Sequence, residues 1–231
     1  MAAIYLIRHG QASFHAEDYD KLSELGIEQA AFVGRAMAYQ KVVPDAVYRG
    51  SLLRHKETAE HSLPQFGEGL DVHELPQWNE YDHREILARY DERLATPAST
   101  KELLGSHPHP MDALKNAIMK AMAKWMSGAH DANYSESWEQ FNARVFDGLD
   151  VVRKAGHNAS VVYTSGGPIS LITCKLLGLP LTDLMKINWM LVNGGITKLI
   201  VRGKDRKLSL SSLNEHSVFA NTADKRFITY T

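Results

Sequence analysis

Four short stretches hold the residues whose types and placement suit chemistry: Arg8-His9-Gly10, Ser51 to Arg54, Gln77 to His83, and Thr164-Ser165-Gly166-Gly167. Arg8 and His9 follow the apolar run Ala3-Ile4-Tyr5-Leu6-Ile7 directly. An arginine and a histidine side by side at a buried strand end are costly to desolvate unless an anion meets them. A small phosphate fits that need, and Gly10 would let the backbone approach it closely. Arg54 would add a planar fork of donors suited to bidentate phosphate contact. A helix opened by Pro168 would aim backbone N–H groups at the same point. Each element alone is weak, since an isolated Arg-His-Gly tripeptide is commonplace and a lone surface arginine is ordinarily just solvated.

The elements that must position these residues alternate between strand and helix patterns. Ala3–Ile7 reads as a strand buried on both faces. Ser23 is placed to cap a helix carrying Ile27, Ala31, Gly34 and Ala38, with Glu24 and Glu28 where the helix dipole favours acids. Ala46-Val47-Tyr48 is a short strand. Ser51 is a second cap candidate, for a helix that puts Arg54 on its first turn and ends before Pro64. A short strand falls within Leu70–Leu75. Val161–Tyr163 is the next strand, and Pro168 sits well as the first residue of the helix behind it. Ile196–Val201 and Leu208–Leu213 predict a hairpin across Gly203-Lys204-Asp205.

From Arg84 to about Tyr134 the residues are helix-forming and charged, interrupted at Thr96-Pro97 and at Ser106 to Pro110, which reads as an insertion rather than a βα repeat. Leu114, Ile118, Met122 and Trp125 share a helical face, and Trp138, Phe141, Val145, Leu149 and Val152 share another. Met122 and Trp125 are read as packing residues rather than a ligand box. The fold class is α/β, a three-layer sandwich whose mostly parallel central sheet has helices on both faces. The whole of residues 1–231 reads as one domain with a helical cap insertion at about 84–145.

Lys and Arg number 26 against 27 Asp and Glu, so no global basic field exists for nucleic acid or an anionic membrane, and any anion site must be local. Cys174 stands alone, which excludes an internal disulfide and fits a reducing compartment. The amino terminus lacks the pattern of a signal peptide, and no stretch of about 18 uncharged apolar residues occurs. The expectation is a soluble cytoplasmic protein. His107 and His109 lack further ligands at metal-binding spacing and read as loop residues, so neither a metal nor another cofactor is expected. The glycine pairs lack the spacing of a dinucleotide fingerprint, and Tyr163 to Gly167 lacks the first glycine of a serine-hydrolase elbow.

In this order along the chain, the stretches LIRHGQAS (6–13), LSELGIEQA (22–30), GSLLRHKETAE (50–60), LPQWNEYDH (75–83), VVYTSGGPI (161–169) and NGGIT (193–197) resemble the histidine phosphatase superfamily, also called phosphoglycerate-mutase-like. The resemblance implies roles. His9 matches the nucleophile that becomes phosphohistidine before water releases phosphate. Arg8 and Arg54 match the arginines that clamp the phosphoryl oxygens. Glu80 matches the general acid, with Asp82 as the fallback. Ser165 and Gly166 fall at phosphate-binding positions. The reaction implied is metal-free hydrolysis of a small phosphomonoester. Mutase activity is disfavoured, because Gln11–Ser23 lacks a longer loop associated with glycolytic mutases. In this family insertions such as 84–145 overlie the phosphate pocket and shape substrate choice.

Ser165 departs from the pattern, for the resemblance expects a second catalytic histidine there. A charged hydrogen bond is worth about 1.5–3 kcal/mol against about 1 for a neutral one. A deficit of one or two kcal/mol in the transition state would slow the reaction roughly tenfold to thirtyfold. Three readings stay open. The phosphatase works with hydroxyl and backbone donors, helped by another residue such as His83 or His216. Alternatively the site binds a phosphorylated ligand with negligible turnover, as a regulatory module. In the third, Ser165 is only a small residue at a tight turn. The sequence is silent on oligomeric state and physiological substrate.

Overall fold

The computed structural model describes residues 2–13, 20–67, 69–105, 107–220 and 225–230. In chain order the elements are β1 (Ala2–Arg8), α1 (Glu24–Tyr39), β2 (Ala46–Arg49), α2 (Leu53–Ser62), β3 (Val72–Glu74), α3 (His83–Tyr90), α4 (Pro97–Gly105), α5 (Pro110–Met126), α6 (Trp138–Lys154), β4 (Ala159–Thr164), α7 (Gly166–Leu177), α8 (Leu184–Asn188), β5 (Ile196–Arg202), β6 (Lys207–Glu215) and α9 (Ser217–Ala220). The strands form one sheet in the order β3-β2-β4-β1-β5-β6. Pairings β3–β2, β2–β4 and β4–β1 are parallel, whereas β1–β5 and β5–β6 are antiparallel. The sheet is therefore mixed, parallel where the candidate residues end their strands and antiparallel at the expected hairpin.

Contacts divide the chain into two compact units, Met1–Glu80 with Val145–Thr231, and Tyr81–Arg144. In the first, Ile7, Val47, Val161 and Tyr163 on one face of the sheet pack with Val33 and Met37 of α1 and Ala59 of α2. Ile4 and Leu6, which alternate with Tyr5 and Ile7 along β1, are buried too, so the opposite face is also covered. Helix α7 packs along β1 and β6. The β3 edge is short and exposed at every residue.

Ser23 caps α1, its hydroxyl accepting from the Gly26 N–H at 3.0 Å. The buried stripe of α1 is Gly26, Ala30, Val33 and Met37, offset from the expected row, in which only Gly34 is buried. Glycine sets that rotation. A Cβ on Gly26 would lie nearer than 3.0 Å to the Gln11 backbone, so this is the face that closes on the chain leaving β1. Ser51 does not cap α2, whose N-cap is Leu52 without a side-chain bond. The Asp20 carboxylate accepts from the Leu53 N–H at 2.6 Å instead, so a distant acid serves the helix end. Helix α7 starts at Gly166 with Ser165 as N-cap, which puts Pro168 two residues further in than expected.

In the second unit, Thr96-Pro97 and the stretch before Pro110 are helix starts, with proline in the first turn of α4 and α5. Its core is aromatic. Trp125 lies 5.4 Å from Tyr81, 5.2 Å from Trp138 and 5.6 Å from Phe141 between ring centroids, and Met122 and Trp125 are buried there as packing residues. The indole N–H of Trp125 donates to the Glu136 carbonyl at 2.9 Å, and Glu136 holds Arg144 through both carboxylate oxygens. Among the described residues no helix is long and apolar enough to cross a membrane.

Gly26→Ala tests the approach of α1 to the end of β1. Alanine favours the helix by about 1 kcal/mol, but overpacking against backbone costs about 1–3 kcal/mol. With the overpacking cost at the upper end of that range, because the clash is with backbone, the net loss is about 1–2 kcal/mol, which lowers Tm by several degrees in a thermal melt, and an unchanged or raised Tm contradicts this packing.

Candidate active site

The registers bring three strand ends together. Arg8 pairs with Thr164 across β1–β4, and Arg49 pairs with Tyr163 across β2–β4, so His9, Gly50 and Ser165 leave the sheet side by side. Backbone bonds hold that alignment: His9 N–H donates to Thr164 O at 2.9 Å and Gly50 N–H to Tyr163 O at 3.1 Å. Arg8 and His9 are both buried, and polar groups surround them. Arg8 Nη1 donates to the Leu191 carbonyl. The Gly194 N–H reaches the carbonyls of Arg8 and His9 at 3.0 and 3.2 Å, and Asn193 Nδ2 donates to His9 O at 3.2 Å.

His9 Nδ1 lies 2.7 Å from the Gly10 carbonyl. A carbonyl only accepts, so Nδ1 carries the proton and a neutral ring leaves its lone pair on Nε2. Burial first, then the charges of Arg54 and Arg8 and the nearby His55, hold the His9 pKa well below its ordinary value, although the Gly10 carbonyl pulls the other way. A hydrogen-bonded chain fixes the loop behind it: Gly10 N–H donates to Thr58 Oγ1 at 3.1 Å, and that hydroxyl donates to Arg54 O at 2.6 Å. Arg54, on the first turn of α2, has its guanidinium steered by Asp20, with Nη1 and Oδ1 2.5 Å apart.

Glu80 reaches the same place from the loop after β3. Thr164 Oγ1 donates to Trp78 O at 2.6 Å, which ties this loop to the end of β4, and Glu80 Oε2 accepts the Gly167 N–H at 3.0 Å. The first turn of α7 therefore gives a backbone donor to a carboxylate, which frees the Ser165 hydroxyl from capping. That hydroxyl sits 2.6 Å from Nε2 of His55, and the His55 ring centroid is 5.8 Å from that of His9. At Gly166 a Cβ would lie nearer than 3.0 Å to Asn188 Oδ1, so a side chain there would have to displace that amide, while Arg8 Nε would lie at an ordinary contact distance of 3.7 Å.

A buried arginine and a half-buried one stand around a neutral imidazole, with a carboxylate at a helix start, an arrangement of charges and donors that can receive an anion such as a phosphoryl group. The profile of the histidine phosphatase superfamily (branch 1) matches residues 4–113 and 104–215. The chain belongs to the histidine phosphatase superfamily. A relative from Hydrogenobacter thermophilus, named "Putative phosphoserine phosphatase 2", is 28% identical over 225 residues, 93% of this chain and 96% of that one. Among solved structures the fold is shared with a phosphoglycerate mutase from Bacillus anthracis, with a TM-score of 0.61, 19% identity and 95% of each chain covered. It is shared also with a mutant phosphoserine phosphatase from Entamoeba histolytica in complex with phosphoserine, with a TM-score of 0.59, 22% identity, and 93% and 97% covered.

Within this member of the superfamily, Arg8, His9, Arg54, Glu80, Ser165 and Gly166 belong to one compact unit. Asp82 acts as a cap, accepting from the N–H groups of Arg84 and Glu85 at 2.9 and 3.0 Å. His83 is the first residue of α3, and His216 turns its Nδ1 to the Asn214 carbonyl at 2.6 Å. The imidazole against Ser165 belongs to neither, but to His55. Sequence reasoning passed over it beside Arg54, yet a signal existed: His55, Thr58, Ala59 and Ser62 form the buried row of α2 at helical spacing.

His55 is also held neutral, by burial first and then by the charges of Arg54 and Arg49. For both His9 and His55 the folded pKa lies below the unfolded one, so protonation favours unfolding. Their contribution is complete above the unfolded value and is lost as pH falls below about 6.5, by about 1.4 kcal/mol per pH unit for each ring until its folded pKa is reached. Denaturant unfolding between pH 7.5 and 5.5 is expected to show this slope, and His9→Gln to reduce it by about one proton. A slope unchanged by the substitution contradicts a buried neutral His9.

Proposed function

We propose that the protein is a phosphomonoester hydrolase that works through a phosphohistidine at His9. The observation that carries this reading is the imidazole whose Nδ1 is anchored on the Gly10 carbonyl at 2.7 Å, with burial and two arginines keeping it neutral. Its Nε2 lone pair attacks phosphorus. The P–O bond to the leaving group breaks, and the departing oxygen takes the electron pair and a proton from Glu80. Glu80, now a carboxylate, takes a proton from water, whose oxygen attacks the phosphohistidine. The P–N bond breaks, its electrons return to Nε2, and inorganic phosphate leaves.

Arg8 and Arg54 stabilise the charge on the phosphoryl oxygens, the part that metal ions play in other phosphoryl-transfer sites, so activity is expected in the presence of a chelator. The N–H of Gly166, first in α7 and without an intrahelical acceptor, adds a donor. Ser165 supplies a hydroxyl where the family resemblance expects an imidazole. The relatives named phosphoserine phosphatases make phosphoserine a reasonable first natural substrate, alongside an aryl phosphate as the generic one.

Steady-state hydrolysis of p-nitrophenyl phosphate and of phosphoserine, both in EDTA, tests the reading. His9→Ala is expected to fall to background on both. Glu80→Gln is expected to lose about 10²–10⁴-fold on phosphoserine, whose alkoxide needs a proton, and far less on the aryl ester, whose phenolate leaves unaided. If wild type and His9→Ala are equally inert while phosphate or vanadate still binds, the protein is a phospholigand-binding module instead.

A further inference from the structure

His55, fully buried against Ser165, has no part in the chemistry just described, yet it stands beside the nucleophile. Ser165 Oγ and His55 Nε2 are 2.6 Å apart, neither residue has measurable exposure, and the two histidine rings are 5.8 Å apart between centroids. The ring is wedged: a Cβ on Gly50 would fall nearer than 3.0 Å to both His55 Nδ1 and Asn79 Oδ1. His55 Nδ1 has no hydrogen-bond partner among the described residues. Ser165, although an N-cap, makes no capping bond, because Glu80 takes the Gly167 N–H.

A neutral imidazole has one proton to place. On Nδ1 it would be an orphaned buried N–H, the rarer and costlier of the two arrangements. On Nε2 it donates to Ser165 Oγ, leaves only a lone pair unmet, and turns the serine proton outward. Among the described residues that outward proton meets no acceptor, and a phosphoryl oxygen would supply one.

We propose that His55 is a positioning residue for Ser165: its Nε2–H holds the serine oxygen from behind, so that the hydroxyl donates to the phosphoryl group. The imidazole acts one atom removed, through the serine, and the positive charge of the site stays with the arginines. This rests on the phosphatase reading for its effect on turnover, but the orientation itself applies to any bound phosphoryl anion.

The test is a double-mutant cycle over Ser165→Ala and His55→Ala, read both as kcat on p-nitrophenyl phosphate and as Kd for orthovanadate, with folding checked by the thermal melt. One neutral hydrogen bond of about 1 kcal/mol corresponds to roughly fivefold. Each single substitution is therefore expected to lower kcat about five- to tenfold with KM little changed, and to weaken vanadate similarly. The double variant is expected to be no worse than either single one. His55→Gln, whose side-chain N–H can take the place of Nε2–H, is expected to stay within about threefold of wild type.

Losses that multiply in the double variant overturn the proposal, as does a folded His55→Gln that is as impaired as His55→Ala. Phosphate trapped on Ser165 also overturns it, since His55 would then be taking the serine proton rather than turning it outward. If no turnover depends on His9, the phosphatase reading fails, and the vanadate cycle alone decides the proposal: non-additive losses sustain it and additive ones overturn it.

Discussion

The burial of Arg8 and His9 at the end of β1 is the constraint on which the remaining features depend. Each is nearly out of solvent, at 5% and 6% exposure. Desolvating a charged group costs several kcal/mol unless hydrogen bonds or counter-charges compensate. Histidine escapes by staying neutral. Arginine cannot, so the fold brings it the Leu191 carbonyl, while Asn193 and Gly194 take up the backbone carbonyls of Arg8 and His9. The charges gathered here, Arg8 and Arg54 against Asp20 and Glu80, make a local field at the strand end. Nothing in the overall balance of 26 basic against 27 acidic residues announces such a field, because it is local.

The same economy governs the first turn of α7. Its start could have been capped by Ser165, the ordinary use of serine at that position. The Gly167 N–H goes to Glu80 instead, which fixes the carboxylate and releases the hydroxyl toward His55. One backbone donor thus decides the placement of two side chains. Asp20 plays a comparable part at α2, where one carboxylate both serves the helix end and steers Arg54.

Much of this was legible in the sequence, and the rest failed for identifiable reasons. The strand ends, the α1 cap and the β5–β6 hairpin follow from local apolar periodicity and turn residues, and the structure has them. Arg8, His9, Arg54 and Glu80 stand out because motifs in order along a chain carry more than composition, and all four fall in one compact unit. The buried face of α1 was misread because steric approach at Gly26, not hydrophobicity, sets it. Ser51 reads as a cap from the local sequence because the carboxylate that does the work lies 33 residues before Leu53, whose N–H it accepts. His55 was missed for the same kind of reason. Its neighbour Arg54 pairs with Asp20, while His55, one residue on, meets a serine 110 residues distant that only the β2–β4 register brings near.

The central claim is that His9 is a neutral imidazole with its proton on Nδ1 and a free lone pair on Nε2. The most direct measurement is the ¹⁵N NMR spectrum of the histidine ring nitrogens at pH 6.5, with His9 assigned by comparison with His9→Gln. The account predicts one protonated, pyrrole-like nitrogen at Nδ1 and one unprotonated, pyridine-like nitrogen at Nε2. Two protonated nitrogens at that pH, or a proton on Nε2 alone, would contradict it, since neither form leaves the Nε2 lone pair that the proposed phosphohistidine requires.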